Sequence, residues 1–118
     1  EQCIESIINQ TEIDFELILV DDGSTDGSLE LCKKYEEQYG DVVRVIEKRN
    51  EGSLLTRRRC LQESKGQYFY LMDADDYLIS RDALKQIRNR IEETKCDLLF
   101  FNVTTTSDNV PYLTLKLF

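Results

Sequence analysis

Histidine and tryptophan are absent from the 118 residues, and there is a single proline and a single methionine. Without histidine the usual general base is missing, so any acid–base chemistry must fall to carboxylates. Zinc sites are disfavoured for the same reason, because the four cysteines (Cys3, Cys32, Cys60 and Cys96) show no CxxC spacing and have no histidine to complete a ligand set. They read as buried, reduced thiols of a cytosolic protein. Long apolar runs are also lacking: none approaches the roughly 18–20 residues of a membrane helix. No signal-peptide pattern is present. Positive charge is scarce, with 15 Lys and Arg against 23 Asp and Glu and a net charge of −8. That balance excludes a nucleic-acid groove, which needs clustered cations to neutralise phosphates. An acidic protein still accommodates a nucleotide diphosphate when a divalent cation stands between the two anions.

What is present is a hydrophobic fraction of 41%, enough for a core, over a length that suits one domain. Strand-like runs alternate with helical stripes. Ile4, Ile7 and Ile8 predict a helix ending near Asn9-Gln10, and Phe15–Val20 predicts a buried strand. Leu29, Cys32, Tyr35 and Tyr39 predict a helix stopped by Gly40, and a second strand is expected over Val42–Ile46. Leu54, Leu55 and Leu61 mark a third helix ending at Lys65-Gly66, followed by a third strand at Tyr68–Met72. Ser80 is the expected cap of a fourth helix carrying Leu84, Ile87 and Ile91, and Leu98–Val103 is a fourth strand. After Thr104 the pattern weakens, with a turn at Pro111. The alternation predicts an α/β fold, a mainly parallel sheet with helices on both faces, whose ligands bind beyond the carboxyl ends of the strands.

Two acidic clusters fall at such ends: Asp21-Asp22-Gly23-Ser24-Thr25-Asp26-Gly27-Ser28 after ELILV, and Asp73-Ala74-Asp75-Asp76 after YFYLM. Carboxylates gathered at one edge repel one another unless a cation or donors intervene, and magnesium or manganese favours such oxygens with phosphates filling the other positions. The bland alternative is turn and cap chemistry, with Asp26 or Ser24 starting the next helix. Asn50-Glu51-Gly52 followed by Arg57-Arg58-Arg59 should lie at the same edge. Gly52 permits close backbone approach. An arginine here reaches a phosphate or base edge, while Arg58 and Arg59 read as a solvated face pairing with acids such as Glu63.

In these residues the sequence resembles family 2 glycosyltransferases. CIESIINQT and FELILVDDGSTDGSLELC are similar to the family's first helix, second strand and nucleotide-facing turn; NEGSLLTRRRCL is similar to its N-x-G…A-R-N-x-G-L segment; and KGQYFYLMDADDYL is similar to the strand leading to its DXD. The resemblance implies a GT-A fold, a Rossmann-like nucleotide-diphospho-sugar-binding domain over residues 1–118. It implies that Asp22 reads a uracil-type base, that Asp73 lies near the ribose or diphosphate, that Asp75 ligates Mn or Mg, and that Arg57 faces the nucleotide. The implied reaction is sugar transfer from a nucleotide diphosphate, UDP by expectation, to a glycan, lipid-linked or other hydroxyl acceptor with inversion. A cytoplasmic setting, with peripheral association at the inner face of a membrane, is implied as well. The sequence departs from the pattern at Thr56-Arg57-Arg58, at Cys60 and at Glu12.

Family members open with a strand of the type VSIIIPVYN, expected to lie between the strand at Val20 and that at Met72. The natural protein is therefore expected to extend upstream by about ten to fifteen residues. The inverting base and the acceptor-binding half are expected outside the chain, so no residue is assigned as catalytic base. Two other readings stand beside this one. MDADDYL also resembles the DxDx[TV] motif of haloacid-dehalogenase-like phosphatases, with Asp73 as nucleophile and Asp75 as acid–base partner. A non-catalytic nucleotide-sugar-binding module is the other.

Overall fold

A computed structural model describes residues 1–101 and the backbone of Leu115–Lys116. The turn expected at Pro111 lies outside the described residues, as do the last two residues of the strand expected to end at Val103. The elements run α1 (Gln2–Ile8), β1 (Leu17–Asp21), α2 (Ser28–Tyr39), β2 (Val43–Glu47), α3 (Ser53–Glu63), α4 (Ala83–Thr94), β3 (Phe100–Phe101) and β4 (Leu115–Lys116). The fold is α/β, as the alternating pattern predicts.

β1 and β2 are parallel, with Leu17 opposite Val43 and Asp21 opposite Glu47. Both strands sit slightly later than their apolar runs. Their limits are set by backbone bonds, Leu17 N–H to the Val42 carbonyl at 2.8 Å and Lys48 N–H to the Asp21 carbonyl at 3.0 Å. The second of these brings Lys48 directly beside the carboxyl end of β1. Val43, only 1% exposed, anchors the core beneath α2. The outer side of β2 is partly satisfied by α2 itself, because the Val45 N–H donates to the Glu36 carboxylate at 2.6 Å. α3 packs against β1. β3 and β4 form a separate antiparallel pair.

The strand expected at Tyr68–Met72 is not formed. A strand is defined by ladder bonds to a neighbour, and among the described residues this segment joins no sheet. β1 pairs with β2 and not with it. Phe69, expected to be covered, is 64% exposed. Side chains tie the segment to β3 and the residues before it: the Tyr68 hydroxyl donates to the Cys96 carbonyl at 3.1 Å, and Tyr70 meets Phe101 edge-on at 5.0 Å.

Smaller corrections concern the helix ends. Gly40 caps α2 as expected, in a right-handed conformation, whereas α3 ends before Lys65-Gly66, at a cap on Ser64. Asp82, not Ser80, occupies the N-cap of α4; the Ser80 hydroxyl instead accepts from the Asp82 N–H at 3.2 Å. Leu84, Ile87 and Ile91 form the half-buried stripe of α4, in agreement with their spacing. The four cysteines are free but half-buried rather than fully buried. Among the described residues no helix is long and apolar enough to cross a membrane.

α1 does more than fill space. The nearly buried Gln10 donates its amide to the carbonyls of Ser6 (2.9 Å) and Ser80 (2.7 Å), and its oxygen accepts from Leu84 N–H at 2.9 Å. Thr11 N–H bonds to the Arg81 carbonyl at 2.8 Å, and the Ser6 hydroxyl accepts from Leu78 N–H at 3.0 Å. Every polar atom of Gln10 is thereby matched, which makes its burial affordable. These bonds fix the segment that leaves the second acidic cluster.

Candidate functional site

The two adjacent acids at the end of β1 do different work. Asp21 is the last residue of β1 and Asp22 the first of the turn that follows, and their side chains take different partners. Asp21 is buried, and its Oδ2 accepts the N–H groups of Gly23 and Ser24, both at 3.1 Å. It shapes the turn. Gly23 adopts φ +77° there, lying so close to Asn50 that an added Cβ would meet the Asn50 nitrogen at 3.0 Å. Asp26, read as a cap, does accept from Ser28 N–H at 3.1 Å, although Gly27 holds the N-cap position of α2.

Asp22 reaches across to the loop after β2. Its Oδ1 accepts from the Lys48 ammonium and from Glu51 N–H (2.9 Å), and its Oδ2 accepts from Gly52 N–H at 3.0 Å. Lys48, followed by the backbone of Glu51, pulls the Asp22 carboxyl down to about 2. The carboxylate is held ionised with its side chain 22% exposed. Lys48 itself was not visible as a site residue in the sequence, where it is one cation in a charged stretch. The lysine also reaches the Thr56 hydroxyl at 3.3 Å, and that hydroxyl donates to the Gly52 carbonyl at 3.0 Å. Asp22 is thus tied to the first turn of α3.

Arg57 is next along α3 and pairs with Asp73 at 2.7 Å. Asp73 follows the segment that joins no sheet, and its side chain is 62% exposed. The structure thus ties Asp22 to Thr56 through Lys48, and Asp73 to Arg57, so that three of the four expected site residues, Asp22, Arg57 and Asp73, meet at neighbouring positions of α3. Arg59 pairs with Glu63 at 2.8 Å, as its surface reading requires. Asp73 begins a tight turn closed by Asp76 N–H to its carbonyl at 3.1 Å. Asp75 stands in that turn, exposed and making no hydrogen bond or ion pair among the described residues. The turn is braced from α1, where the Cys3 thiol donates to the Asp73 carbonyl at 3.7 Å. Burial raises the pKa of this thiol, and the charges of Asp76 and Asp75 act in the same direction.

Among the described residues no three potential ligand side chains converge on one point. An exposed carboxylate without partners does suit a magnesium or manganese ion whose remaining positions come from phosphate and water, so Asp75, with Asp73 two residues away, fits that role. A cavity of about 460 Å³ lies elsewhere, between α1 and residues 77–81, and includes none of these acids.

Comparison with known proteins bears on the same segments. A profile for glycosyl transferase family 2 matches residues 1–117. Poly(ribitol-phosphate) beta-glucosyltransferase of Bacillus spizizenii is 38% identical over 101 residues, covering 82% of this chain and 16% of that protein. Cholesterol galactosyltransferase of Borreliella burgdorferi is 36% identical over 99 residues, 84% of this chain and 27% of that protein. An uncharacterized glycosyltransferase of Escherichia coli is 42% identical over 74 residues, 63% of this chain and 21% of that protein. The chain spans less than a third of the length of each of these relatives. With its motifs, its parallel α/β core and a profile match from end to end, the chain belongs to glycosyl transferase family 2.

Proposed function

We propose that the chain binds the nucleotide diphosphate of a sugar donor, with UDP as the nucleotide, and that the natural protein transfers the sugar to an acceptor hydroxyl with inversion. The acceptor class is a glycan, a lipid-linked sugar or another hydroxyl, and a cytoplasmic setting at a membrane's inner face belongs to the same proposal. One observation carries the reading. The 48–57 segment engages Asp22 through Lys48 and Asp73 through Arg57, beyond the carboxyl end of a parallel strand pair, where α/β folds take their ligands. The matched relatives named for glucosyl and galactosyl transfer support sugar transfer as the reaction class.

Each side chain has a defined share. Asp22 stays ionised and offers an acceptor to a base N–H. Arg57 is exposed beside Asp73 and can exchange that carboxylate for a phosphate oxygen. Asp75, supported by Asp73, would hold the Mn or Mg ion. When bound, that ion neutralises charge on the departing diphosphate.

Isothermal titration with UDP, with and without Mn²⁺, tests the reading. Binding that strengthens with the metal and is lost on chelation is expected, and Asp75→Asn should abolish the metal-dependent part while the circular dichroism spectrum is unchanged. UDP binding that ignores both metal and Asp75 would contradict the metal assignment. Absence of nucleotide binding altogether would contradict the whole reading.

A further inference from the structure

Among the described residues Lys48 is the least exposed cation of the ion pairs, at 13%, and its ammonium is fully engaged. It donates to Asp22 Oδ1, to the Arg49 carbonyl at 3.0 Å and to the Thr56 hydroxyl at 3.3 Å, and it ion-pairs with Glu51 at 3.2 Å. An ammonium has three N–H donors, so nothing remains for a ligand phosphate. This lysine does not act as a phosphate-binding cation. Its place is set by the sheet, because its own N–H closes the last rung of the ladder on the Asp21 carbonyl.

The consequence falls on Asp22. A carboxylate offers about four lone-pair sites, two on each oxygen. Oδ1 is filled by Lys48 and by Glu51 N–H, whereas Oδ2 receives only Gly52 N–H. We infer that Lys48 is a positioning residue that sets base specificity, fixing the Asp22 carboxylate so that Oδ2 alone keeps one acceptor site. A single fixed acceptor suits an imide N–H such as that of uracil. It is mismatched to cytosine, whose ring nitrogen at that edge is itself an acceptor, and two facing acceptors leave both unsatisfied. Without the lysine, Oδ1 is freed, the carboxylate can turn, and it can accept from the exocyclic amine of cytosine as readily as from an imide. The inference rests on the nucleotide-binding role proposed for Asp22.

The test is the ratio of dissociation constants for CDP and UDP, measured by titration calorimetry in Mn²⁺ for the unmodified chain, Lys48→Met and Lys48→Arg. A bond to a charged group contributes about 1.5–3 kcal/mol, so the methionine variant should lose about tenfold or more of its preference for UDP. Its affinity for CDP should change little or rise. The arginine variant, which keeps the charge and the reach, should restore most of the preference. Should Lys48→Met fail to fold, Thr56→Val removes one acceptor of the ammonium while leaving the Asp22 pair, and a smaller fall in the same ratio is expected. Equal weakening of UDP and CDP, or an unchanged ratio, would overturn the role of Lys48 while leaving the nucleotide site standing. An unmodified chain that binds both nucleotides alike would instead overturn base reading by Asp22, and this inference with it.

Discussion

Replacing Gly23 with alanine strikes the point where the turn after β1 meets the loop after β2. Two costs add. The residue sits at φ +77°, and an L side chain in the left-handed region costs about 1–2 kcal/mol. The new Cβ would also lie 3.0 Å from the Asn50 nitrogen and 3.3 Å from its Cβ, and backbone cannot swing aside as a flexible side chain does. Overpacking of that kind typically costs about 1–3 kcal/mol. Gly27 supplies the control, because it has nearly the same φ, +86°, yet its nearest neighbour would be the Glu30 carboxylate at 4.0 Å. Gly27→Ala should therefore lose about 1–2 kcal/mol, from the backbone alone. Gly23→Ala should lose about 2–5 kcal/mol, combining both terms. Urea unfolding followed by circular dichroism measures both, with the midpoint shift converted through a common slope. Equal losses from the two variants, within about 0.5 kcal/mol, would refute the close apposition of the two loops on which the site depends.

Further expectations follow from the same contacts. Asp22 has its carboxyl lowered from 3.8 to about 2, so its contribution to stability is full above the unfolded value and fades as pH falls toward 2. Urea unfolding between pH 5 and pH 2 should show that loss for the unmodified chain and a smaller one for Lys48→Met; identical pH dependence would contradict the pairing. Arg57→Ala should change stability by less than about 1 kcal/mol, since its pair with Asp73 is exposed, yet it should weaken UDP measurably by calorimetry. Asp75→Asn should stay within about 0.5 kcal/mol of the unmodified stability, as expected for a surface side chain without partners. Val43→Ala, at the most buried position of the sheet, should cost about 2 kcal/mol in the same urea assay.

Much of this arrangement could be read before any coordinates. Helical spacing located α1, α2, α3 and α4, and two apolar runs located β1 and β2 to within a residue or two. The acids flanking those runs, with Arg57, pointed to the edge where Asp22, Arg57 and Asp73 meet at neighbouring positions of α3. Tyr68–Met72 was misread because an apolar run records affinity for a core and says nothing of a hydrogen-bonding neighbour, which alone makes a strand. Lys48 escaped notice because its importance lies in the parallel register, which brings it beside Asp21 from 27 residues away. The division of labour between Asp21 and Asp22 depends on where β1 ends, between the two acids, which an apolar run locates only to within a residue or two. The phosphatase reading of MDADDYL drew on one motif alone, and the family profile spanning residues 1–117 favours the reading that uses all three.

Nuclear magnetic resonance mapping of UDP binding in the presence of Mg²⁺ tests the central claim most directly. Amide shifts should concentrate at residues 21–24, 48–57 and 73–76, where the acidic turns and the start of α3 converge, and the 73–76 shifts should require the metal. Shifts confined to the groove between α1 and residues 77–81, or no saturable shifts at all, would contradict the account.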